Sequence, residues 1–180
     1  MFDWNVVVSV RGRTRFKAVR RYLKTVARVD TTDYYNVLAL KADDLELFLE
    51  AVKRDVALNP ELGPALARVV PVSRTFVFQN PAEFETQARQ TAATFAPQLA
   101  GTAFYVRMHR RGFRGTLVSP EQERALDRLL AEYLAAVGTP GTVRFTDPDA
   151  VLVIETLGQW AGFGLITRAL RERYPFVNPE

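Results

Sequence analysis

The stretch from Val143 to Thr167, VRFTDPDAVLVIETLGQWAGFGLIT, decides the fold of the second half of the chain. Its two apolar runs, residues 150–157 and 160–167, are separated by Gly158-Gln159, which is the spacing of a two-residue β-hairpin. Asp147-Pro148-Asp149 has the composition of a turn and marks where the hairpin begins. The stretch therefore predicts two long antiparallel strands, preceded by a short one.

Helices and strands alternate along the rest of the chain. Asn80-Pro81-Ala82-Glu83 combines a capping residue, proline at the first helical position and an acid at the third, and Ser119-Pro120-Glu121-Gln122 repeats this pattern. The further predicted elements are strands at residues 4–10, 34–40, 69–78 and 103–108, a helix capped by Thr14 that ends near Ala27, and a helix that begins at Asp43-Asp44 and ends before Asn59. The alternation predicts an α+β fold in two domains, residues 1–79 and 80–180, the first of ferredoxin-like topology.

Cysteine is absent and histidine occurs once, at position 109. This composition excludes disulfides, thiolate metal sites and cysteine nucleophiles. No phosphate-binding glycine loop is present, so we expect neither a cofactor nor a metal. The 180 residues are 48% hydrophobic and 24% charged, as in a folded globular protein. The sequence contains no signal peptide and no apolar run long enough to span a membrane, so we expect a cytoplasmic protein without membrane contacts.

Positive charge is segregated along the chain, whose net charge is +4. No acid interrupts the segment between Asp3 and Asp30 or the segment between Glu85 and Glu121. Segregated basic charge is typical of proteins that bind polyanions. The solvated face of an ordinary amphipathic helix has the same appearance, and both interpretations stay open at this point.

Residues 104–115, FYVRMHRRGFRG, contain the most informative basic cluster. Its cations are Arg107 and His109, on the solvent face of an alternating strand, and Arg110, Arg111 and Arg114, in the loop that follows. Arginine offers paired donors in a planar fork that suits phosphate oxygens. Tyr105 and Phe113 either stack on unpaired bases or pack inside the protein. We therefore interpret the segment as a candidate RNA-binding strand and loop.

The joint order of these segments resembles the stand-alone THUMP proteins that assist tRNA acetylation. FYVRMHRRG, the Ser119 helix, VRFTDPDAVLVIETLGQWAGFGL and the basic tail are similar to a THUMP domain, and WNVVVSVRGR and RVVPVSRTFVF are similar to the ferredoxin-like domain that precedes it. The resemblance implies a THUMP-like α/β module after the ferredoxin-like one. It also implies binding of tRNA near the acceptor stem and the 3′ end.

The resemblance implies RNA-binding roles for particular residues of both modules. It places Arg11, Arg13 and Arg74 in the N-terminal module, and Arg107, Arg110 and Arg111 on the basic strand and loop of the second module. Arg15, His109 and Arg114 complete the set of residues that we predict to bind RNA.

The chain has neither the Asn-Pro-Pro-aromatic motif of the family's methyltransferases nor the Ser-Gly-Gly loop of its thiouridine synthetases. We therefore predict a non-catalytic tRNA-binding adaptor, and the resemblance implies an RNA cytidine acetyltransferase as the enzyme that it serves. Two alternatives stay open. One is a small RNA-modifying or RNA-processing enzyme that uses His109 with Asp147 or Glu155, and the other is a protein-interaction domain for acidic partners.

Overall fold

The computed structural model describes residues 3–180, which divide into two compact units. The first unit contains the residues up to Pro71 together with Ala169–Glu180, and the second contains Val72–Arg168. This division differs from the predicted boundaries in two ways. The units part about eight residues earlier than position 79, and the last segment of the chain belongs to the first unit.

The first unit contains a four-stranded antiparallel sheet. Its elements are β1 (Val6–Val10), α1 (Arg13–Leu23), β2 (Arg28–Thr31), β3 (Val37–Lys41), α2 (Leu45–Leu58), α3 (Leu62–Ala65) and β4 (Leu66–Pro71). The strand order is β2-β3-β1-β4. The two βαβ units, β1-α1-β2 and β3-α2-β4, therefore interleave their strands in one sheet, and the predicted ferredoxin-like topology is confirmed. Because β1 is central, its run of valines is buried on both faces.

The second unit contains a five-stranded mixed sheet. Its elements are β5 (Arg74–Val77), α4 (Pro81–Ala93), α5 (Ala96–Leu99), β6 (Ala103–His109), α6 (Ser119–Ala136), β7 (Thr142–Val143), β8 (Ala150–Leu157) and β9 (Trp160–Thr167). The next helix, α7 (Arg168–Arg173), begins at the last residue of this unit and otherwise belongs to the first unit. The order is β5-β9-β8-β6-β7, with β6 parallel to β8. The predicted hairpin is confirmed, because β8 and β9 pair up to Leu157 and Trp160 across the turn.

Helix starts in the structure match the sequence patterns in part. Asn80 caps α4 by accepting from the backbone N–H of Glu83, as predicted. The Glu83 carboxylate accepts from the backbone N–H of Gln79, one residue before the position that a capping box uses. Ser119, in contrast, is the first residue of α6, and its side chain makes no capping hydrogen bond. The helix begins after Val118, and Pro120 is its second residue. This start is therefore marked by the proline and not by a serine cap.

The segment 69–78 divides between the two sheets. Residues up to Pro71 pair with β1, whereas the backbone N–H of Ser73 donates to Phe163 and β5 pairs with β9. Pro71 has no backbone N–H to continue the strand, so β4 ends there and the following residues pair with the second sheet. The prediction of one strand over residues 69–78 is therefore wrong. Within residues 3–180, no helix is long and apolar enough to cross a membrane.

The last segment completes the first unit along the outer edge of β4. Tyr174, Phe176 and Val177 are buried, and the backbone N–H of Val69 donates to the carbonyl of Phe176 at 3.1 Å. An edge strand has unpaired backbone groups that another segment can satisfy. This pairing explains why residues 169–180 belong to the first unit, although they follow the second along the chain.

Candidate nucleic-acid interface

Helix α1 has one continuous face of cations, which we call the basic stripe. Its members are Arg13, Lys17, Arg20, Arg21 and Lys24. With 3.6 residues per turn, they fall within about 100° of the helix circumference, away from the buried Val19 and Leu23. All are exposed except the half-buried Arg20, and none forms an ion pair with any residue of the described chain.

The N-terminal end of α1 adds further positive charge. The exposed Arg11 precedes Gly12, whose φ of 84° turns the chain into the helix, and Arg13 is the first helical residue. The predicted cap, Thr14, instead lies inside the helix, and the first turn contains no acid. A cation at the positive end of the helix dipole is unfavourable for the helix itself. Helix stability therefore does not explain this arrangement.

Arg15 and Arg74 are placed differently from Arg11 and Arg13. Arg15 lies on α1 outside the basic stripe and forms an exposed ion pair with Glu61 at 3.4 Å. Arg74 is exposed on β5, the edge strand of the second sheet, and therefore does not belong to the N-terminal module. The reason is the break at Pro71, which transfers the following residues to the second unit.

Arg107 occupies the predicted side of β6 but is only partly accessible. Phe104, Val106 and Met108 pack in the core, and Arg107 alternates with them. Its side chain is 33% exposed, its guanidinium lies 5.4 Å from the centre of the Tyr105 ring, and its Nη1 is 3.9 Å from a Glu123 oxygen. These contacts orient the side chain within the sheet surface.

Arg111 anchors its loop to β8 instead of projecting into solvent. Its guanidinium pairs with Glu155, which is completely buried, and only 13% of the Arg111 side chain is exposed. Its backbone N–H donates to Thr156 Oγ1 at 2.8 Å, and its carbonyl accepts from Gly158 at 2.9 Å. The sequence prediction treated Arg111 as a loop cation available for phosphate, but the structure already uses its guanidinium.

The rest of the loop has one openly exposed cation. Arg110 is half-buried and its guanidinium donates to the carbonyl of Gly112. Arg114 is exposed and makes no ion pair with the described residues. Phe113 lies at φ 49°, and its ring packs 5.0 Å from that of Phe78. Packing is therefore the role of Phe113, and Tyr105, at 4% exposure, is likewise inside.

Both acids named for the enzymatic alternative form ion pairs with arginines. His109 lies opposite Glu155 in the β6–β8 pairing, and the Glu155 carboxylate pairs with Arg111. Asp147, at φ 48° in the turn before β8, pairs with Arg168. The structure thus assigns both acids to ion pairs.

Two carboxylates of α6 cover the free edge of β6. Asp127 accepts from the backbone N–H of Val106 at 2.8 Å, and Glu123 accepts from that of Met108 at 2.7 Å. The pKa of Asp127 is raised to about 6, mainly by burial and to a smaller extent by the nearby Glu123, while the hydrogen bond from Val106 acts in the opposite direction. Sequence patterns did not single out either residue, because the groups that they bind lie on another element.

The basic stripe was only partly anticipated. The sequence prediction selected Arg13 from it and left out Lys17, Arg20, Arg21 and Lys24. The signal was present in the spacing, since positions 13, 17 and 21, and positions 20 and 24, each differ by four. Such a repeat of like charges on one helix face is unfavourable and therefore informative.

Comparisons with solved structures show the fold at low sequence identity. TrmN from Thermus thermophilus has 17% identity and a TM-score of 0.62, over 89% of this chain and 44% of that one. A 4-thiouridine synthetase in complex with RNA and ATP has 15% identity and a TM-score of 0.56, over 91% and 41%. PH1313 from Pyrococcus horikoshii Ot3 has 13% identity and a TM-score of 0.55, over 92% and 55%. No protein-family model and no curated protein matches the chain.

These likenesses agree with the THUMP resemblance at the level of the fold and correct one prediction. The chain spans about half or less of the solved chains that it matches. Further similar chains are named as methylases or methyltransferases, so the matched proteins are mostly enzymes. The prediction of a non-catalytic protein is contradicted by this finding. That prediction was based on the absence of two catalytic motifs from the sequence.

Proposed function

We propose that this chain binds RNA and holds it for an RNA-modification reaction. The observation that carries the proposal is the basic stripe on α1, which is exposed and has no carboxylate partner among the described residues. Support comes from the fold, which is similar to that of a 4-thiouridine synthetase solved with RNA. A surface of this kind binds phosphates through charge and needs no particular base.

The length of the stripe suits a nucleic-acid backbone. From Arg13 to Lys24 the helix rises by about 16 Å, at ~1.5 Å per residue. Five cations along this distance can bind a row of phosphates, whereas a single acidic side chain would neutralise only one of the five cations. Each phosphate that is neutralised also releases a counterion, which favours binding. The exposed Arg11 extends the row beyond the start of the helix. In the second unit, the exposed Arg114 is our candidate for a further phosphate contact.

A narrower form of the proposal concerns the RNA and the enzyme. We propose that the RNA is a tRNA held near its acceptor stem and 3′ end, and that a cytidine acetyltransferase acts on it. The THUMP resemblance supports both statements. Recovery of the protein from cell extract, with sequencing of bound RNA and identification of bound proteins, tests them. Recovery of a methyltransferase in place of an acetyltransferase would contradict the second statement.

The basic stripe is tested by charge reversal with a matched control. Lys17→Glu with Arg21→Glu changes the stripe, and Arg89→Glu with Arg128→Glu changes net charge equally on exposed positions of α4 and α6. If roughly four to six phosphates are neutralised, log affinity for tRNA should fall with log salt at a slope of about −3 to −5. The stripe variant should bind more weakly with a shallower slope, measured by fluorescence anisotropy.

The outcomes of this experiment separate the open alternatives. Equal losses in the stripe variant and its control would show a general charge effect and contradict an interface on α1. Absence of RNA binding at low salt, together with binding of an acidic protein, would favour the protein-interaction alternative.

A further inference from the structure

We propose that Phe145 is a stacking site for an unpaired nucleobase of the bound RNA, an inference that rests on the proposed function. Its ring is 65% exposed, in the turn between β7 and β8. Of the two aromatic residues that the sequence suggested for stacking, Tyr105 is buried and Phe113 is partly buried against Phe78. Phe145 was not among them, and it lies in the turn that follows β7.

The ring of Phe145 has a fixed support on one side. It packs against the buried Tyr105, with ring centres 5.3 Å apart and planes inclined by 48°. The guanidinium of Arg107 lies 5.4 Å from the centre of the same Tyr105 ring. Arg107, Tyr105 and Phe145 therefore form a row of planar groups, of which the most exposed ring is available to a further planar group. Stacked planar groups of this kind bind bases in single-stranded nucleic acids.

The turn that carries Phe145 is held by its neighbours. Arg168 pairs with both Asp147 and Asp149, and the Arg144 guanidinium donates to the carbonyl of Asp147 at 2.8 Å. The backbone N–H of Arg144 donates to the carbonyl of Phe104 at 2.8 Å, which joins the turn to β6. A ring held in place before binding loses little conformational entropy when a base stacks on it.

The charges around the ring favour a nucleotide over an apolar protein segment. Arg144 precedes Phe145 directly, and Arg107 contacts the Tyr105 ring on which Phe145 packs. The acids of this region are Asp147 and Asp149, which pair with Arg168, and Glu123, which lies 3.9 Å from Arg107. An exposed aromatic ring beside cations matches a ligand that combines a flat base with a phosphate.

The test compares two labelled RNA hairpins, one blunt-ended and one with a short single-stranded 3′ tail. Phe145→Ala should weaken binding of the tailed hairpin by about 5- to 100-fold, as expected for the loss of one stacked base, and leave the blunt hairpin unchanged. Phe145→Trp should keep the affinity, whereas Phe145→Leu, which is apolar but has no π-face, should lose most of it. Tyr133→Ala is the control, because Tyr133 is a comparably exposed aromatic residue on α6.

Failure of this inference is distinguishable from failure of the proposed function. If wild-type protein binds both hairpins and Phe145→Ala, folded by circular dichroism, binds the tailed one equally well, the stacking site is wrong and RNA binding stands. If the wild type binds neither hairpin at low salt, the proposed function fails and the stacking site with it. Equal weakening of both hairpins by Phe145→Ala would also contradict stacking on an unpaired base.

Discussion

Arg111 shows how one residue of a basic cluster can serve stability rather than binding. Its guanidinium pairs with Glu155, which is inaccessible to solvent. Removing one partner of a buried ion pair leaves an uncompensated charge, so Arg111→Ala should lower the free energy of unfolding by about 3–5 kcal/mol. Urea denaturation measures this change. The exposed Arg114→Ala, three residues away, should change it by less than about 0.5 kcal/mol.

A double variant separates the lost charge from lost packing at this site. Arg111→Met with Glu155→Gln removes both charges, and its free energy of unfolding should lie above that of Arg111→Ala. A loss as small for Arg111→Ala as for Arg114→Ala would contradict the buried pair. It would also return Arg111 to the candidates for phosphate binding.

Asp127 gives a prediction about pH. Burial raises its pKa in the folded state from 3.8 to about 6, so the folded protein holds this proton more tightly than the unfolded chain does. Between these two values a rise in pH ionises Asp127 first in the unfolded chain, and wild-type stability falls as a result. Asp127→Asn lacks this titration but keeps an acceptor for the backbone N–H of Val106.

The measurement for Asp127 is the difference in free energy of unfolding, wild type minus Asp127→Asn, as a function of pH. It should decrease as pH rises from 3.8 to about 6 and stay constant above that range. A difference that is constant throughout, or that increases with pH, would contradict a raised pKa.

Helix α1 combines binding charge with a cost in stability. Arg13, Lys17 and Arg21 are neighbours at a spacing of four, and each like-charged pair costs an isolated helix about 0.2–0.5 kcal/mol. Lys17→Glu turns two repulsive pairs into two attractive ones, so the protein should gain about 1 kcal/mol of stability. Its affinity for RNA at low salt should fall by about three- to tenfold, since a cation becomes an anion.

The result that would identify α1 as the RNA-binding helix is a Lys17→Glu variant with higher stability and lower affinity for RNA. Urea denaturation and filter binding on the same protein samples measure the two quantities. A Lys17→Glu variant that loses both stability and affinity would indicate damage to the helix. Unchanged affinity would show that the RNA binds elsewhere.

The whole molecule depends on a chain end that returns to the first unit. Tyr174, Phe176 and Val177 are buried there, and the burial of each such side chain contributes about 1.5–3 kcal/mol. Deletion of residues 169–180 removes an amount comparable to the stability of a small domain. We therefore expect the first unit to unfold, with rapid hydrogen exchange at the amides of β1 and β4, while amides of β8 and β9 stay protected.

The control for the deletion is Arg173→Ala. Arg173 forms exposed ion pairs with Glu46 and Glu50, which are worth less than about 1 kcal/mol each. This variant should keep protected amides in both units. Protection of β1 and β4 in the deleted protein would show that the chain end is dispensable for the first unit.

Local sequence patterns determined the elements and their sequential pairing. The alternation in residues 103–109, the Gly158-Gln159 turn and the Asn80 helix cap depend on neighbours a few residues apart, so they are visible in the sequence. The segregation of cations is visible for the same reason. These features predict the α+β class, the ferredoxin-like first unit and a basic RNA-binding candidate, which the sequence placed mainly at residues 104–115 and only in part on α1.

Only the tertiary structure decided which basic residues are available and where the first unit ends. Arg111 and Glu155 are 44 positions apart, and Val69 and Phe176 are more than a hundred apart, so no local pattern predicts these pairs. A buried carboxylate requires a cation, and an unpaired strand edge requires a further segment. Any residue that the fold brings near can satisfy these requirements, whatever its position in the sequence. For this reason the structure places the Arg111 side chain against a buried carboxylate and the chain end in the first unit, where the sequence predicted a surface residue and the second domain.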